Sequence, residues 1–521
     1  MKRWAWALIW MGAAWAAVGS DVKPIPVDGG LIVGTVEEGI HVFKGVPFAA
    51  TTAGENRWKP PQPVAAWEGV RLSDAFGPEC PQAPYAAGSM YYRPPQPQSE
   101  DCLSLNVWTA SLEAEARRPV MVWIHGGALT RGSGSVPAYD GGALARRGVV
   151  LVTINYRLGP LGYLAHPELS AESEQGVSGN YGVLDQIAAL KWVRRNIARF
   201  GGDPDNVTIF GESAGSWSVN VLVASPLARG LFHRAIGQSG GSFGRQVPLK
   251  SESEGQPSAE AMGVAFARAA GAESLAELRA LPAEKIIEVF FGNADGRGFR
   301  TGPTVDGWVL PAEIRRLFEE GRQNDVPTIV GSNANEMTTL TSPATVPRTL
   351  EALRRLVDNQ YADRAAEFFM LYPAESDEQV RMAFLDSLRD RSFSLSMRTW
   401  ARMASRGRSP AYLYHFSRVP PGPNSASLGA YHAAEIAYVF DNLGRLQGRA
   451  YEETDRRLSN VMASYWVNFA KTGDPNGEGL PRWLPYNLED EPYLDFGDEP
   501  QLRNHLYKAK LDFMESVAAD R

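Results

Sequence analysis

The chain has 521 residues, 44% of them apolar and 21% charged, which is ample for a large buried core and excludes a disordered or collagen-like chain. Its 52 basic and 59 acidic residues leave a formal charge of −7, so the charge argues against nucleic acid as a partner. No period repeats and no long block of like charge occurs, which excludes a repeat solenoid and a charged interaction tail.

Met1-Lys2-Arg3 is a basic start, Trp4 through Val18 is uncharged and largely apolar, and Gly19-Ser20-Asp21 follows. This predicts a secretory signal over residues 1–20, cut near Gly19 or Ser20 or after Ala16, and a secreted or periplasmic protein. The apolar stretch is short for a stable membrane span and no stop-transfer pattern follows; a retained N-terminal anchor is the other reading. From Pro24 to Asn106 the pattern is β-rich. The only two cysteines, Cys80 and Cys102, bracket a proline- and tyrosine-rich stretch from Pro81 to Asp101. A disulfide would close that stretch as a surface loop and contribute about 3 kcal/mol; two free buried thiols are the alternative.

Val120 to Ile124 reads as a buried strand and runs into His125-Gly126-Gly127-Ala128-Leu129. Small residues let main-chain N–H groups approach a developing oxyanion, each worth roughly 3 kcal/mol, so Gly127 and Ala128 are candidate donors. A helix is expected from Ala188 to Phe200. Next, the apolar run Val207 to Phe210 ends in Gly211-Glu212-Ser213-Ala214-Gly215, a G-x-S-x-G strand-to-helix turn. Flanking glycines fit where two backbones approach too closely for a Cβ. Ser213 is therefore the candidate nucleophile and the Ala214 N–H a third oxyanion donor. Glu212 is a candidate for tuning charge or contacting substrate, and Ser239 for joining its polar network.

In the α/β-hydrolase arrangement that such a turn implies, the acid and the histidine follow the serine in chain order. Four histidines lie beyond Ser213. His233 is too near the nucleophile's own helix, His415 sits in a strand-like run, and His505 lies near a polar C-terminal helix. His432, in a glycine-containing loop that opens a helix, remains. For the acid, Glu336 follows the good strand Val326 to Gly331 by several residues. Asp306, followed by Gly307, reads as a turn-forming residue instead. The stretch from Pro347 to Arg406 is charged, helical and strandless, and is expected to form a lid-like insert over the site.

These motifs resemble the type-B carboxylesterase family, which includes the cholinesterases. The resemblance extends through Phe43 to Ala49, Glu100 to Val107, Asn155 to Gly162, Gly179 to Gln186, Phe200 to Pro204, Ala235 to Gly240 and Asn468 to Asn476. It implies an α/β-hydrolase fold, with a large, mostly parallel twisted sheet flanked by helices, as one domain over residues 21–521. It also implies a Ser213–Glu336–His432 triad with Gly127, Ala128 and Ala214 as oxyanion hole, no metal or organic cofactor, and a small-molecule ester as substrate. The loop closed by Cys80 and Cys102 is expected to line the gorge above the nucleophile. Where cholinesterases place a tryptophan for a quaternary ammonium, counting back from Cys102 gives Tyr92, beside Tyr91, a weaker cation site. Asn335-Glu336-Met337 stands where relatives often have Asp-Glu-Gly, and Ala128 replaces a glycine of the oxyanion loop. An interfacial lipase is the nearest alternative, and a non-catalytic adhesion member of the fold the alternative from another class. A neutral imidazole base would make hydrolysis decline as pH falls through about 6 to 7.

Overall fold

The computed structural model describes residues 23–253, 255–292, 302–445 and 449–519. The expected leader over residues 1–20 lies outside them. Eleven strands form the central sheet: β1 Thr35–Glu37, β2 Ile40–Pro47, β3 Ser104–Thr109, β4 Arg118–Ile124, β5 Val150–Ile154, β6 Gly202–Glu212, β7 Arg234–Gln238, β8 Thr328–Asn333, β9 Ala411–Phe416, β10 Pro492–Phe496 and β11 Pro500–Asn504. Their spatial order is β11-β10-β9-β8-β7-β6-β4-β5-β3-β2-β1. From β5 to β10 every neighbouring pair is parallel, and antiparallel pairs finish both edges. A parallel strand covered by helices on both faces must be apolar throughout, which is why β5 reads Val-Leu-Val-Thr-Ile and is buried at every residue.

The two faces divide by alternation along each strand. Val120, Val122 and Ile124 of β4 point to one core, shared with the helix Tyr181–Asn196 and the helix Ala214–Ala224. Met121 and Trp123 point to the other, where Leu458, Met462, Trp466 and Phe469 form the stripe of the 20-residue helix Glu453–Thr472. The helix expected from Ala188 begins earlier, at Tyr181. Gly182 obscures that start, and packing explains it, because a Cβ there would lie 2.7 Å from the Arg157 carbonyl oxygen.

β4 lies between β5 and β6, so the chain crosses over beside it and opens a crevice at the carboxyl ends of β4 and β6. The segment 347–406 is helical and divides in two. Helices Leu350–Tyr361, Ala365–Leu371 and Asp377–Arg389 build a small core of their own with Phe513 and Met514 of the C-terminal helix. The last helix, Leu395–Ala404, lies against the sheet instead, its Met397, Trp400 and Ala401 sharing a core with Val330 and Leu413. Cys80 and Cys102 form a disulfide. Among the described residues no helix is long and apolar enough to cross a membrane.

Candidate active site

Ser213 sits at the turn between β6 and the helix Ala214–Ala224 with φ 56° and ψ −123°. A non-glycine residue held there stores roughly 1–3 kcal/mol of strain, which the surrounding packing must enforce. The enforcement comes from main chain. A Cβ on Gly211 would lie 2.6 Å from the Ile124 carbonyl oxygen, and one on Gly215 would collide with that same oxygen. The Ser213 N–H donates to the Gln238 carbonyl at 2.8 Å, tying the turn to β7.

The second loop leaves β4 at Ile124. Gly127, Ala128 and Leu129 have φ of 103°, 56° and 59°, so alanine and leucine occupy a conformation that glycine takes freely. The Gly127 carbonyl accepts the N–H groups of Thr130 and Arg131, both at 3.0 Å, which closes the turn. Among the described residues neither Gly127 nor Ala128 gives its N–H to a main-chain carbonyl. Ala214 is the first residue of its helix, where N–H groups have no intrahelical acceptor. His125 braces this loop: its ring stacks on Tyr156 at 4.5 Å, and Nδ1 lies 2.8 Å from the Gly126 carbonyl oxygen. Burial pushes its pKa down to about 4, which keeps it neutral.

Glu336 and His432 meet although 96 residues apart, with His432 Nδ1 lying 2.5 Å from Glu336 Oε2. The other Glu336 oxygen accepts the Asn333 N–H at 2.7 Å. Asn335 pins the two loops together: its N–H donates to the Ala430 carbonyl and its Oδ1 accepts the Ala430 N–H, both at 2.9 Å. Tyr91 Oη donates to the His432 carbonyl at 3.0 Å. Phe393 covers the imidazole with its ring centroid 5.0 Å away, from a π-helical turn, Asp390–Ser394, between two α-helices.

His432 Nε2 lies 3.0 Å from Glu212 Oε1. That approach is a close contact of charges, with Glu212 Oε1 making no hydrogen bond among the described residues. Ser213 and His432 line one cavity of about 580 Å³, together with Gly127, Ala128 and Glu212. Tyr92 stands at its rim, 43% exposed. Asp306 is a turn residue, its Oδ1 accepting the N–H groups of Trp308 and Leu310. His415 is buried against Tyr507, and His233 caps the Val207 N–H.

Three further groups near the histidine were not legible as a set. Glu435 is fully buried, its oxygens accepting from Gln238 Nε2 at 3.0 Å and Asn333 Nδ2 at 2.6 Å. Gln238 Oε1 in turn accepts Trp466 Nε1 at 3.1 Å. The signal was an acid inside the apolar run Ala433 to Val439. Ser239, expected to join Glu212 in a polar network, makes no hydrogen bond through Oγ among the described residues. Burial pushes the Glu212 carboxyl well above the usual range, against the pull of His432. Burial also opposes charge on His432, but Glu212, Glu336 and Glu435 together outweigh it and hold the imidazole up at about 9. These carboxylates push the titration upward from the ordinary 6 to 7, with Glu435 adding to Glu212, the candidate for tuning charge.

The carboxylesterase family model matches residues 21–514. The fumonisin B1 esterase of Sphingopyxis macrogoltabida is 38% identical over 89% of this chain and 84% of its own. The para-nitrobenzyl esterase of Bacillus subtilis (strain 168) is 37% identical over 91% and 95%. The solved Geobacillus stearothermophilus carboxylesterase superposes with a TM-score of 0.78 at 33% identity, over 95% of this chain and 99% of that one. With the same fold along nearly its whole length, and esterases as its relatives, the chain belongs to the carboxylesterase family and is a carboxylic ester hydrolase.

Proposed function

We propose that the protein cleaves carboxylic esters by two-step acyl transfer through Ser213. His432 takes the Ser213 proton as Oγ attacks the ester carbonyl carbon, and Glu336 holds Nδ1–H so that Nε2 is the basic nitrogen. The N–H groups of Gly127, Ala128 and Ala214 receive the oxyanion. The C–O bond to the alcohol then breaks, and His432 returns its proton to the leaving oxygen. Water attacks the acyl-serine with the same histidine as base, releasing the acid and restoring the serine. Nε2 reaches Ser213 Oγ in the substrate complex, where catalytic hydrogen bonds tighten.

The observation that carries this reading is the Glu336–His432 contact of 2.5 Å beside a cavity that also holds Ser213 and the loop Gly127–Ala128. The same reading takes residues 21–521 as one domain, with the helical insert around 347–406 as a lid-like element. It takes the protein to be secreted or periplasmic, supported by the Cys80–Cys102 disulfide, a bond that persists in oxidising compartments. An organophosphate should label Ser213 and abolish hydrolysis. Ser213→Ala should escape the label and lose about a million-fold in kcat. Full activity in that variant refutes the assignment.

A further inference from the structure

The protein as a whole is acidic, with a formal charge of −7, yet the walls of the cavity above Ser213 are basic. Arg93, Arg131, Arg445 and Arg449 line it, against a single carboxyl, Glu212. Two of the four are neutralised by carboxylates: Arg93 Nη1 pairs with Glu79 at 2.5 Å and Arg445 Nη2 with Asp140 at 3.3 Å. The other two form no ion pair with a carboxylate among the described residues.

Arg131 spends Nε on the Ala83 carbonyl, at 3.0 Å, and its guanidinium lies over the rings of Tyr85 and Phe291, at 5.1 and 4.4 Å. Arg449 spends one Nη1 proton on the Pro421 carbonyl, at 3.2 Å, and lies 5.0 Å over Tyr431. A guanidinium has five N–H donors in a planar fork, so each retains donors for a ligand while aromatic faces hold the plane in place. Their attachment matters as much as their charge. The Arg131 N–H is bonded to the Gly127 carbonyl, so this cation is rooted in the turn that would receive the oxyanion. Tyr431, under Arg449, immediately precedes His432. The two uncompensated cations thus flank the reacting centre from its oxyanion side and from its histidine side. Glu212 is turned toward the histidine, its Oε1 3.0 Å from His432 Nε2, and makes no ion pair with either arginine among the described residues.

Resting on the acyl-transfer reading of Ser213, we propose that the esters cleaved here carry a carboxylate remote from the scissile carbonyl, met by the free guanidinium edges of Arg131 and Arg449. Planar carboxylates match a guanidinium fork, and a low-dielectric cleft of one sign of charge concentrates the opposite ion.

The test uses the full-length enzyme and two matched pairs of esters. Monoethyl glutarate against ethyl glutaramate places the charge in the acyl half; 4-acetoxybutyrate against 4-acetoxybutyramide places it in the alcohol half. At least one anionic ester should exceed its uncharged amide in kcat/KM by about tenfold or more at low ionic strength, with the ratio falling as sodium chloride is raised. Arg131→Gln or Arg449→Gln should lower that ratio, and Arg→Lys at the same position should restore part of it. Equal rates within both pairs, with Ser213 still labelled by an organophosphate, overturn this inference and leave the esterase reading standing. A preference that survives salt and both substitutions overturns it as well. Failure to cleave all four esters, with Ser213 unlabelled, brings down the acyl-transfer reading itself.

Discussion

The serine half of the site and the histidine half are held by different materials. Ser213 is positioned by main chain: Gly211 and Gly215 let two backbones meet at Ile124, and Ser213 N–H is tied to Gln238. His432 is positioned by side chains, with Glu336 at Nδ1, Glu212 near Nε2, Tyr91 on its carbonyl and Phe393 on its ring. Backbone contact at van der Waals distance tolerates almost no substitution, whereas a side-chain network can be assembled from several residue types. The first half should therefore fail by geometry and the second by electrostatics.

Four substitutions can break or sharpen that contrast. The largest effect is expected from Glu336→Gln, which keeps the shape but removes the charge that fixes the tautomer; kcat should fall about ten-thousand-fold. A loss below tenfold, measured on an activated ester, would show that Glu435 or Glu212 can take over. Gly215→Ala comes next, since its Cβ collides with the Ile124 carbonyl. A displacement of the serine by about 1 Å costs on the order of a hundredfold in kcat. Unchanged turnover, with circular dichroism matching the parent, would mean the main chain yields there.

Glu212→Gln should act on pH rather than on the maximum rate. His432 must be neutral to accept a proton, and a raised pKa keeps it charged to higher pH. The pH profile of kcat/KM should therefore rise through an inflection well above 6.5, toward about 9. Removing one of the carboxylates that raises it should move the inflection down by about one pH unit. An inflection that stays in place would exclude Glu212 from the titration. The smallest effect is expected from Tyr91→Phe, which deletes one hydrogen bond to the His432 carbonyl, about 1 kcal/mol or a few-fold in kcat/KM. A hundredfold loss would show that the loop depends on Tyr91 far more than one bond allows.

The same division of materials explains what could be read from the chain. G-x-S-x-G and His125-Gly126-Gly127 are legible because close backbone approach demands small residues at fixed spacing. The strands at Val120 to Ile124, Val207 to Phe210 and Val326 to Gly331 are legible because strands buried on both faces must be apolar. Glu336 and His432 could be reached by chain order and elimination, since each stands in a loop without strong local constraint. Glu435, Asn333 and Gln238 were hidden, because they lie far apart along the chain and only the fold shows that their polar ends converge. The helical segment after Pro347 shows the same blindness: amphipathic patterning reveals helices, but not that Leu395–Ala404 turns back onto the sheet.

The π-helical turn Asp390–Ser394 gives that last boundary a use. A helix carrying one residue more than its regular ladder can hold must bulge, and here the bulge aims Phe393 at the imidazole. Deleting a single residue from the turn would restore an unbroken ladder and so leave the helix better formed. It would also swing everything on one side of the cut by about 100° around the axis, carrying the phenyl ring away from His432. Orientation of the base is thus bought with an irregularity, and regularising the backbone would unseat it.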